Sequence, residues 1–138
     1  MNLFVYGSLM SDTVWQAVTG TLCPAIPATA RGWEVRAIRN ASYPGLVPAA
    51  PDAIAHGLLR TGVSMDDLRQ LDKFEGSFYE RIAIRTTIPD GTSPPADAWV
   101  VAPSQRHHVL PLPWDAHRFF TEQIDDFLRQ FCSPSPSD

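Results

Sequence analysis

The sequence lacks the features that mark several large classes of protein. None of its apolar runs approaches the roughly 20 residues of a membrane-spanning helix. No basic segment precedes the apolar N-terminal stretch, as it would in a secretory signal. The chain has 11 lysines and arginines against 15 acids, for a net charge of −4, which argues against a nucleic-acid groove or an anionic membrane surface as the partner. We therefore expect a cytoplasmic protein that binds neither nucleic acid nor membrane.

Residues that commonly build metal or nucleophilic sites are also scarce. Cys23 and Cys132 lie far apart with no metal-like spacing; two free thiols are the expected state, with a single disulfide as the alternative. His107 and His108 are adjacent, so in an extended chain they point to opposite sides and cannot hold one metal ion. No Gly-x-Ser-x-Gly elbow surrounds Ser8, and no phosphate-loop or dinucleotide pattern occurs. We expect neither a metal nor an organic cofactor.

What remains is the composition of one globular domain. A chain of 138 residues is about one domain long. We expect that domain over residues 1–132, with 133–138 as a disordered tail because it has no apolar residues. Strand-like segments outnumber helical ones, and they follow each other too closely for helical crossovers between all of them. This pattern predicts an α+β fold with a mixed, mostly antiparallel sheet or small β-barrel.

Periodicity and turn residues predict the individual elements. Apolar runs predict strands at 3–6, 29–38 (interrupted at Gly32), 53–61, 80–88 and 97–101. A composition rich in proline, alanine and glycine predicts a surface loop at 39–52, and 105–113 is also predicted as a loop. Helices are predicted from Ser11 or Asp12 to Thr19, from a capping Ser64 to Gly76, and over 114–131. Their expected buried stripes are Val14, Trp15 and Val18; then Met65, Leu68, Leu71 and Phe74; then Phe120, Ile124, Phe127, Leu128 and Phe131.

The N-terminal strand runs directly into a glycine turn, which is the first candidate binding site. Leu3 to Tyr6 are β-prone residue types, and Gly7 follows at once. We expect Gly7 to turn the chain at a positive φ where a Cβ would clash, so that the next amides point at one spot. With the Ser8 hydroxyl, these amides suit an anion such as a substrate carboxylate. The structural alternative is a plain strand–glycine–serine turn.

A second segment, residues 71–81, gives that turn its significance. It contains Leu71-Asp72-Lys73-Phe74-Glu75-Gly76 and then Tyr79 and Arg81. With the opening turn, it resembles the γ-glutamylcyclotransferase-like superfamily, and most closely the short, single-domain, AIG2-like and γ-glutamylamine cyclotransferase-like branch. The Tyr-Pro-Gly, Gly-x-Leu and Ala-x-aromatic-Val elements of that family occur in the same order here, as Tyr43-Pro44-Gly45, Gly57-Leu58-Leu59 and Ala98-Trp99-Val100. The resemblance spans about residues 2–102.

The resemblance implies a small mixed β-barrel flanked by helices, and a cofactor-independent enzyme acting on a small γ-glutamyl compound. The substrate's α-amine attacks its own γ-carbonyl, closes the ring of 5-oxoproline and expels an amine or amino acid. Glu75 matches the general acid/base of relatives, and Tyr6, Gly7, Ser8 and Leu9 would hold the substrate. Residues 39–52 and 105–113 are expected to shape the choice of leaving group, which the sequence does not name.

Glu75 also has a physical case of its own. It lies in the last turn of a predicted helix, where a carboxylate meets the negative end of the helix dipole. Phe74 and Phe78 would remove water from it, and both effects raise its proton affinity. A raised pKa suits a group that must accept and release a proton. The alternative is an exposed helix glutamate with no chemical role.

Other residues compete for the same roles. The alternative carboxylates are Asp72, Glu80 and Glu34, of which Asp72 is expected to pair with Lys73 or an arginine. Family resemblance favours Tyr79 and Arg81 as supports of the pocket, although Arg81 could equally form a structural ion pair. The alternative functions are a non-catalytic module that binds a small ligand or a protein, and an interaction domain that uses the apolar stripe of the C-terminal helix. Retention of Glu75 favours the enzyme.

Overall fold

The computed structural model describes residues 1–132, so the expected tail at 133–138 lies outside the described residues. In chain order the strands are β1 (Leu3–Val5), β2 (Ala25–Arg31), β3 (Trp33–Ile38), β4 (Pro44–Pro48), β5 (Ile54–Arg60), β6 (Tyr79–Arg85), β7 (Pro95–Val101) and β8 (Val109–Pro113). The regular helices are α1 (Asp12–Thr19) and α2 (Met65–Glu75), and short 3-10 turns cover Ser8–Met10 and Pro103–His108. Over 116–132, α3 (Ala116–Arg118) and α4 (Ile124–Phe127) alternate with π-helical turns at Phe119–Gln123 and Leu128–Cys132.

The strands form two sheets. The larger has the order β2-β5-β1-β7-β6, and the smaller has the order β4-β3-β8. The pairing of β1 with β7 is parallel, and the other strand pairs of the two sheets are antiparallel. Edge strand β2 forms an isolated bridge from Thr29 to Thr87, two residues beyond the end of β6, with N···O distances of 3.0 and 2.9 Å. The predicted mostly antiparallel α+β fold is confirmed, with an open sheet in place of a closed barrel.

Two predicted loops contain strands, so those predictions are wrong. β4 lies inside the predicted loop 39–52, and β8 lies inside the predicted loop 105–113. Both flank β3 as the edge strands of the smaller sheet. Proline cannot donate to a ladder and is confined mainly to such edges, and each of these strands contains two prolines. The proline content that indicated a loop is therefore compatible with an edge strand that tertiary pairing stabilises.

The two predicted N-caps are confirmed. The Ser11 hydroxyl accepts from the amide of Val14 at 3.3 Å, and the Ser64 hydroxyl accepts from Asp67 at 3.1 Å. Gly76 ends α2 with a φ of +72°, and Gly32, at +85°, separates β2 from β3. Along α2, Leu68 and Leu71 are buried as expected, but Met65 is 60% exposed. Met65 is the first residue of the helix and lies outside the apolar cluster that buries Leu68 and Leu71, so its inclusion in the buried stripe is wrong.

The C-terminal helical segment differs from prediction in which residues it buries. The expected stripe included Phe120 and Phe131, but Phe119 is fully buried and Phe131 is 45% exposed. The π-helical turn at Phe119–Gln123 explains the shift. A π turn holds more residues than an α turn, so a stripe placed at 3.6-residue spacing changes face when it passes through one. Phe119 and Phe127 then lie on the same side, with ring centroids 5.4 Å apart.

Strand β1 lies at the centre of the core and separates its two apolar clusters. Leu3 and Val5 contact the cluster that includes α1, α2 and the C-terminal segment, whereas Phe4 and Tyr6 contact the cluster between the sheets. This is the period of two expected for a strand that is buried on both faces. Consequently the turn after β1 emerges where α2 and the C-terminal segment meet. Within the described residues, no helix combines the length and apolarity that a membrane crossing requires.

Candidate active site

A cavity of about 130 Å³ opens at the end of β1. All five residues predicted as the site, Tyr6, Gly7, Ser8, Leu9 and Glu75, line it. Its other walls come from β1, α2, β7, the C-terminal segment and the Tyr-Pro-Gly element, and the lining residues are Phe4, Val5, Tyr43, Pro44, Phe74, Phe78, Tyr79, Trp99, Phe127 and Phe131. Two stretches of chain almost seventy residues apart thus meet in one enclosed, mainly aromatic pocket.

The turn that follows β1 presents unused hydrogen-bond donors to this cavity. Its 3-10 conformation is closed by bonds from the Met10 amide to the Gly7 carbonyl and from the Ser11 amide to the Ser8 carbonyl, both 3.0 Å. Among the described residues, the amides of Ser8 and Leu9 and the hydroxyl of Ser8 have no acceptor. Ser8 is 7% exposed as a residue, and it lines the cavity. These donors are therefore available to a polar group that enters the cavity.

Gly7 is required for a different reason from the predicted one. Its φ is −125°, so the expectation of a positive φ is wrong. A Cβ at this position would instead lie 2.9 Å from Cγ and 3.0 Å from Cδ of Pro44. The glycine therefore allows the turn to pack directly against the proline of the Tyr-Pro-Gly element. Gly45 has a similar role, because a Cβ there would collide with the Val101 side chain and lie 2.8 Å from Cδ1 of Ile38.

Two tyrosine hydroxyls fix the walls of the cavity. Tyr6 donates to the carbonyl of Trp99 at 2.6 Å, and Tyr79 donates to the carbonyl of Pro44 at 2.6 Å. Burial raises the pKa of both phenols well above the ordinary value, and the nearby Glu75 contributes in the same direction. Both tyrosines therefore remain neutral at physiological pH. Their protons are committed to backbone carbonyls, so they define the shape of the pocket.

Glu75 is the last residue of α2 and is half-buried against the cavity. Among the described residues its carboxyl group has no hydrogen-bond or ion-pair partner, and it is the only carboxyl group that lines the cavity. Burial raises its pKa to about 8, and the negative charge of Asp72 adds to the effect. An unpaired carboxyl group with a pKa near the working pH can both accept and donate a proton.

The competing carboxylates are engaged elsewhere or exposed. Asp72 accepts from Nε of Arg81 at 3.0 Å and from Nε1 of Trp99 at 2.9 Å, and Arg81 also donates to Asp97 at 2.6 Å. The expected pairing of Asp72 with an arginine is therefore present, and Arg81 forms a structural ion-pair network behind the cavity. Elsewhere, Glu34 pairs with Arg36 at 2.6 Å. Glu80 is exposed on β6.

Several lining residues escaped the sequence analysis. Tyr43 and Pro44 belong to a motif that the sequence showed without indicating its position in space. Phe127 and Phe131 come from the C-terminal segment, and their rings are 4.8 Å apart. Their residue types favoured an apolar helix face, and that signal is the same for a core helix and for a cavity wall. Only the packing of α4 beside α2 distinguishes the two.

The histidine pair also differs from prediction. His107 and His108 lie in a 3-10 turn, and their rings are 3.9 Å apart. The expectation that they point to opposite sides assumed an extended chain and is wrong. His108 also lies beside Phe78, with ring centroids 6.1 Å apart. In the part of the chain that the structure describes, no group of three potential ligands surrounds a common point.

Comparison with known proteins agrees with this geometry. A family model described as gamma-glutamyl cyclotransferase, AIG2-like, matches residues 3–116. The chain belongs to this family. AIG2-like protein D of Arabidopsis thaliana is 32% identical over 91 residues, which cover 66% of this chain and 59% of that protein. The match thus spans less than two thirds of the relative's length.

Solved structures share the family fold. A solution structure from Arabidopsis thaliana superposes with a TM-score of 0.73 at 24% identity, covering 94% of this chain and 87% of that one. A structure named gamma-glutamyl cyclotransferase superposes with a TM-score of 0.61 at 12% identity, covering 94% and 98% of the two chains. At these identities the likeness establishes the gamma-glutamyl cyclotransferase fold, and the activity has to be argued from the cavity itself.

Proposed function

We propose that this protein is a γ-glutamyl cyclotransferase that converts a small γ-glutamyl compound into 5-oxoproline and a free amine or amino acid. The α-amino nitrogen of the substrate forms a bond to the γ-carbonyl carbon, and the bond from that carbon to the leaving nitrogen breaks. Two protons leave the α-nitrogen, one when the α-ammonium group becomes the attacking amine and one when the lactam N–H forms; the leaving nitrogen takes up both and departs as an ammonium group. The attacking group is already tethered, and a well-oriented intramolecular attack has an effective molarity on the order of 10⁵ M or more.

The observation that supports this proposal best is that the unpaired Glu75 carboxyl group lines the same cavity as the residues with unused donors. The Ser8 and Leu9 amides and the Ser8 hydroxyl supply donors for the substrate's α-carboxylate or for the charge that grows on its γ-carbonyl oxygen. Glu75 supplies the proton acceptor. A cavity that only bound an amino-acid-like ligand would need the donors, but it would not need an unpaired carboxyl group with a raised pKa.

The raised pKa of Glu75 fits the proton balance of the reaction. An ordinary glutamate, with a pKa near 4.5, is a far weaker base than the substrate's α-amine. Raising the pKa of Glu75 to about 8 narrows this difference and makes the proton transfer less unfavourable. The same carboxylic acid then donates that proton to the departing amine. The leaving group is an alkylamine or the nitrogen of an amino acid, as in glutathione, γ-glutamyl dipeptides and γ-glutamyl-lysine.

A direct assay tests the proposal. Purified protein is incubated with glutathione, γ-glutamyl-alanine and Nε-(γ-glutamyl)-lysine, and 5-oxoproline is measured by mass spectrometry. We expect release from at least one compound, and a loss of at least about 10³-fold in kcat for Glu75→Gln, in the range of general acid–base contributions. Glu80→Gln, an exposed glutamate on the adjacent strand, is the matched control and should retain activity.

Two results would refute the mechanism. An active Glu75→Gln enzyme would remove the assigned acid/base. Binding of 5-oxoproline without turnover of any γ-glutamyl compound would favour the non-catalytic binding module on the same fold.

A further inference from the structure

Arg60, the last residue of β5, is fully buried directly behind the turn that lines the cavity. Its Nη2 donates to the carbonyls of Leu9 and Met10, at 3.0 and 3.1 Å, and its Nε donates to Leu9 at 3.3 Å. Its Nη1 donates to Oδ1 of Asp12 at 2.8 Å. A buried guanidinium is tolerated when its donors are satisfied in this way. Three of these four bonds end on backbone carbonyls of the turn.

The guanidinium is also held from its face. Its central carbon lies 4.9 Å from the ring centroid of Trp15, a distance typical of a cation–π contact. Nη1 makes a longer contact of 3.4 Å to the Cys23 carbonyl. Arg60 itself is anchored in the larger sheet, where it pairs with Leu3 of β1 and Ala25 of β2. The group that holds the turn is therefore rigidly positioned.

These contacts fix the direction in which the turn presents its amides. In a 3-10 turn the carbonyls point toward one end and the amides toward the other. The carbonyls of Gly7 and Ser8 are bonded to amides within the turn, and those of Leu9 and Met10 are bonded to Arg60. All four successive carbonyls are thus held by hydrogen bonds. The amides of Ser8 and Leu9 have no such bond among the described residues, and both residues line the cavity. We infer that these amides are the groups that the turn offers to the cavity.

Arg60 also supplies charge. Its single positive charge lies one turn away from the unused donors, in a buried environment where screening by water is weak. An anion bound by Ser8 and Leu9 would interact favourably both with the aligned amides and with this guanidinium. Ser8 is 7% exposed, lines the cavity and has no partner for its hydroxyl among the described residues, so that anion would bind beside it.

We propose that Arg60 is a positioning residue for a carboxylate site, which aims the Ser8 and Leu9 amides at the substrate's α-carboxylate without touching the substrate. The inference rests on the proposed function, and it assigns the turn to the α-carboxylate in preference to the carbonyl oxygen. It therefore predicts that the affinity for a ligand with this carboxylate depends on Arg60, whereas the affinity for the same ligand without it does not.

Two small molecules separate these cases: 5-oxoproline, and 2-pyrrolidinone, which is the same ring without the carboxylate. Titration of each into ¹⁵N-labelled protein follows the Ser8 and Leu9 amide resonances by NMR. We expect Arg60→Lys, which keeps the charge but cannot reach all the carbonyls, to weaken the binding of 5-oxoproline about tenfold. The affinity for 2-pyrrolidinone should not change. The matched control is Arg85→Lys, an exposed arginine with no ion pair among the described residues, and it should match wild type for both ligands.

A second variant keeps the test decisive if Arg60→Lys does not fold. Asp12 is 73% exposed and partly neutralises Arg60. Asp12→Asn removes the carboxylate that partly neutralises the guanidinium, so the attraction between Arg60 and the bound anion should increase. The affinity for 5-oxoproline should rise about twofold, and the affinity for 2-pyrrolidinone should not change. Asp66→Asn, another exposed acid at a helix start, controls for the change in net charge and should have a smaller effect.

The outcomes distinguish this inference from the proposed function. If Arg60→Lys binds 5-oxoproline as tightly as wild type does, or loses the same affinity for both ligands, the positioning role of Arg60 is overturned. Neither result bears on the proposed cyclotransferase activity. The absence of 5-oxoproline shifts at Ser8 and Leu9 in the wild type also overturns the positioning role. A protein that binds 5-oxoproline at these amides in an Arg60-dependent way, but turns over no γ-glutamyl compound, supports the carboxylate site and refutes the activity.

Discussion

Two ionisable side chains, Arg60 and Glu75, lie beside the same cavity, and the residues that the structure describes supply partners for the first but not for the second. Arg60 is fully buried; its N–H groups donate to two turn carbonyls and a carboxylate, and its guanidinium lies over the ring of Trp15. Glu75 is half-buried and has no partner among the described residues, so its pKa rises to about 8. The fold therefore satisfies the donors of the Arg60 guanidinium, whereas none of the described residues forms a hydrogen bond or an ion pair with the Glu75 carboxyl group.

This contrast supports a structural role for Arg60 and the proposed chemical role for Glu75. Removing one partner from a satisfied buried network leaves the others unpaired and destabilises the protein. Removing an unpaired charge from a cavity relieves a desolvation penalty and should stabilise it. Active sites commonly retain such unfavourable groups because function requires them. The two residues should therefore change stability in opposite directions when their charges are removed.

The largest expected effect is at Arg60. Arg60→Met keeps much of the apolar stem but leaves the Leu9 and Met10 carbonyls without donors. We expect the free energy of unfolding to fall by about 3–5 kcal/mol, as for other broken buried pairs. Urea unfolding followed by circular dichroism measures it. Arg85→Met, at an exposed arginine, should change stability by less than about 0.5 kcal/mol. A loss below about 1 kcal/mol for Arg60→Met would mean that the network does not stabilise the fold.

Removing the charge of Glu75 should raise the free energy of unfolding, and the size of this increase should depend on pH. The pKa of Glu75 is about 8 in the folded protein and near 4.5 when unfolded. Between these values the native state binds a proton that the unfolded state has lost, so stability falls as pH rises through this window. Glu75→Gln removes that penalty. At 1.36 kcal/mol per pKa unit, and allowing for partial exposure, the variant should be about 2–4 kcal/mol more stable than wild type at pH 9.

The same comparison at pH 4 provides an internal control, because both states of wild type are then protonated and the two proteins should be equally stable. Glu80→Gln should show no such divergence between pH 4 and pH 9. If Glu75→Gln and wild type unfold at the same urea concentration at pH 9, the carboxylate is hydrated in the folded protein and the contrast with Arg60 is lost.

From the sequence, the unusual position of Glu75 could be predicted, but the burial of Arg60 could not. Glu75 stands out because it precedes Gly76 at a helix end, between Phe74 and Phe78, within a motif that local residues define. Arg60 has no such signal. It follows Leu58 and Leu59 at the end of a strand, where an arginine is normally exposed. Its burial depends on the turn at Leu9 and on Trp15, which come from more than forty residues away.

The fold follows the same division. Elements with a local signal, such as the helices capped by Ser11 and Ser64, agree with prediction. Elements that depend on a distant partner do not, as β4 and β8 show, because each becomes a strand by pairing with β3. The cavity combines both kinds. Its turn and its acid could be predicted from motifs, whereas the walls at Tyr43 and Phe127 required the packed structure.

The smallest expected effect is at Asp72, whose ion-paired carboxylate acts on the unpaired carboxyl group of Glu75. It is also the most sensitive test of the comparison between paired and unpaired groups. Asp72 pairs with Arg81, yet its negative charge still raises the pKa of Glu75. In the proposed mechanism the acid limb of the kcat/KM profile reports ionisation of Glu75 in the free enzyme, and lies near pH 8. Asp72→Asn removes a repulsive charge, so the Glu75 carboxylate becomes easier to form and the limb should move to lower pH.

The design of this variant keeps the surrounding bonds. An asparagine Oδ1 can still accept from Nε1 of Trp99, and Arg81 retains its bond to Asp97. Asp66→Asn, at the exposed start of the same helix, is the matched control and should leave the limb in place. A limb that stays near pH 8 in Asp72→Asn would assign the raised pKa to burial alone. A limb that moves to higher pH would show that Glu75 does not control it, because loss of a negative neighbour can only lower the pKa of a carboxyl group.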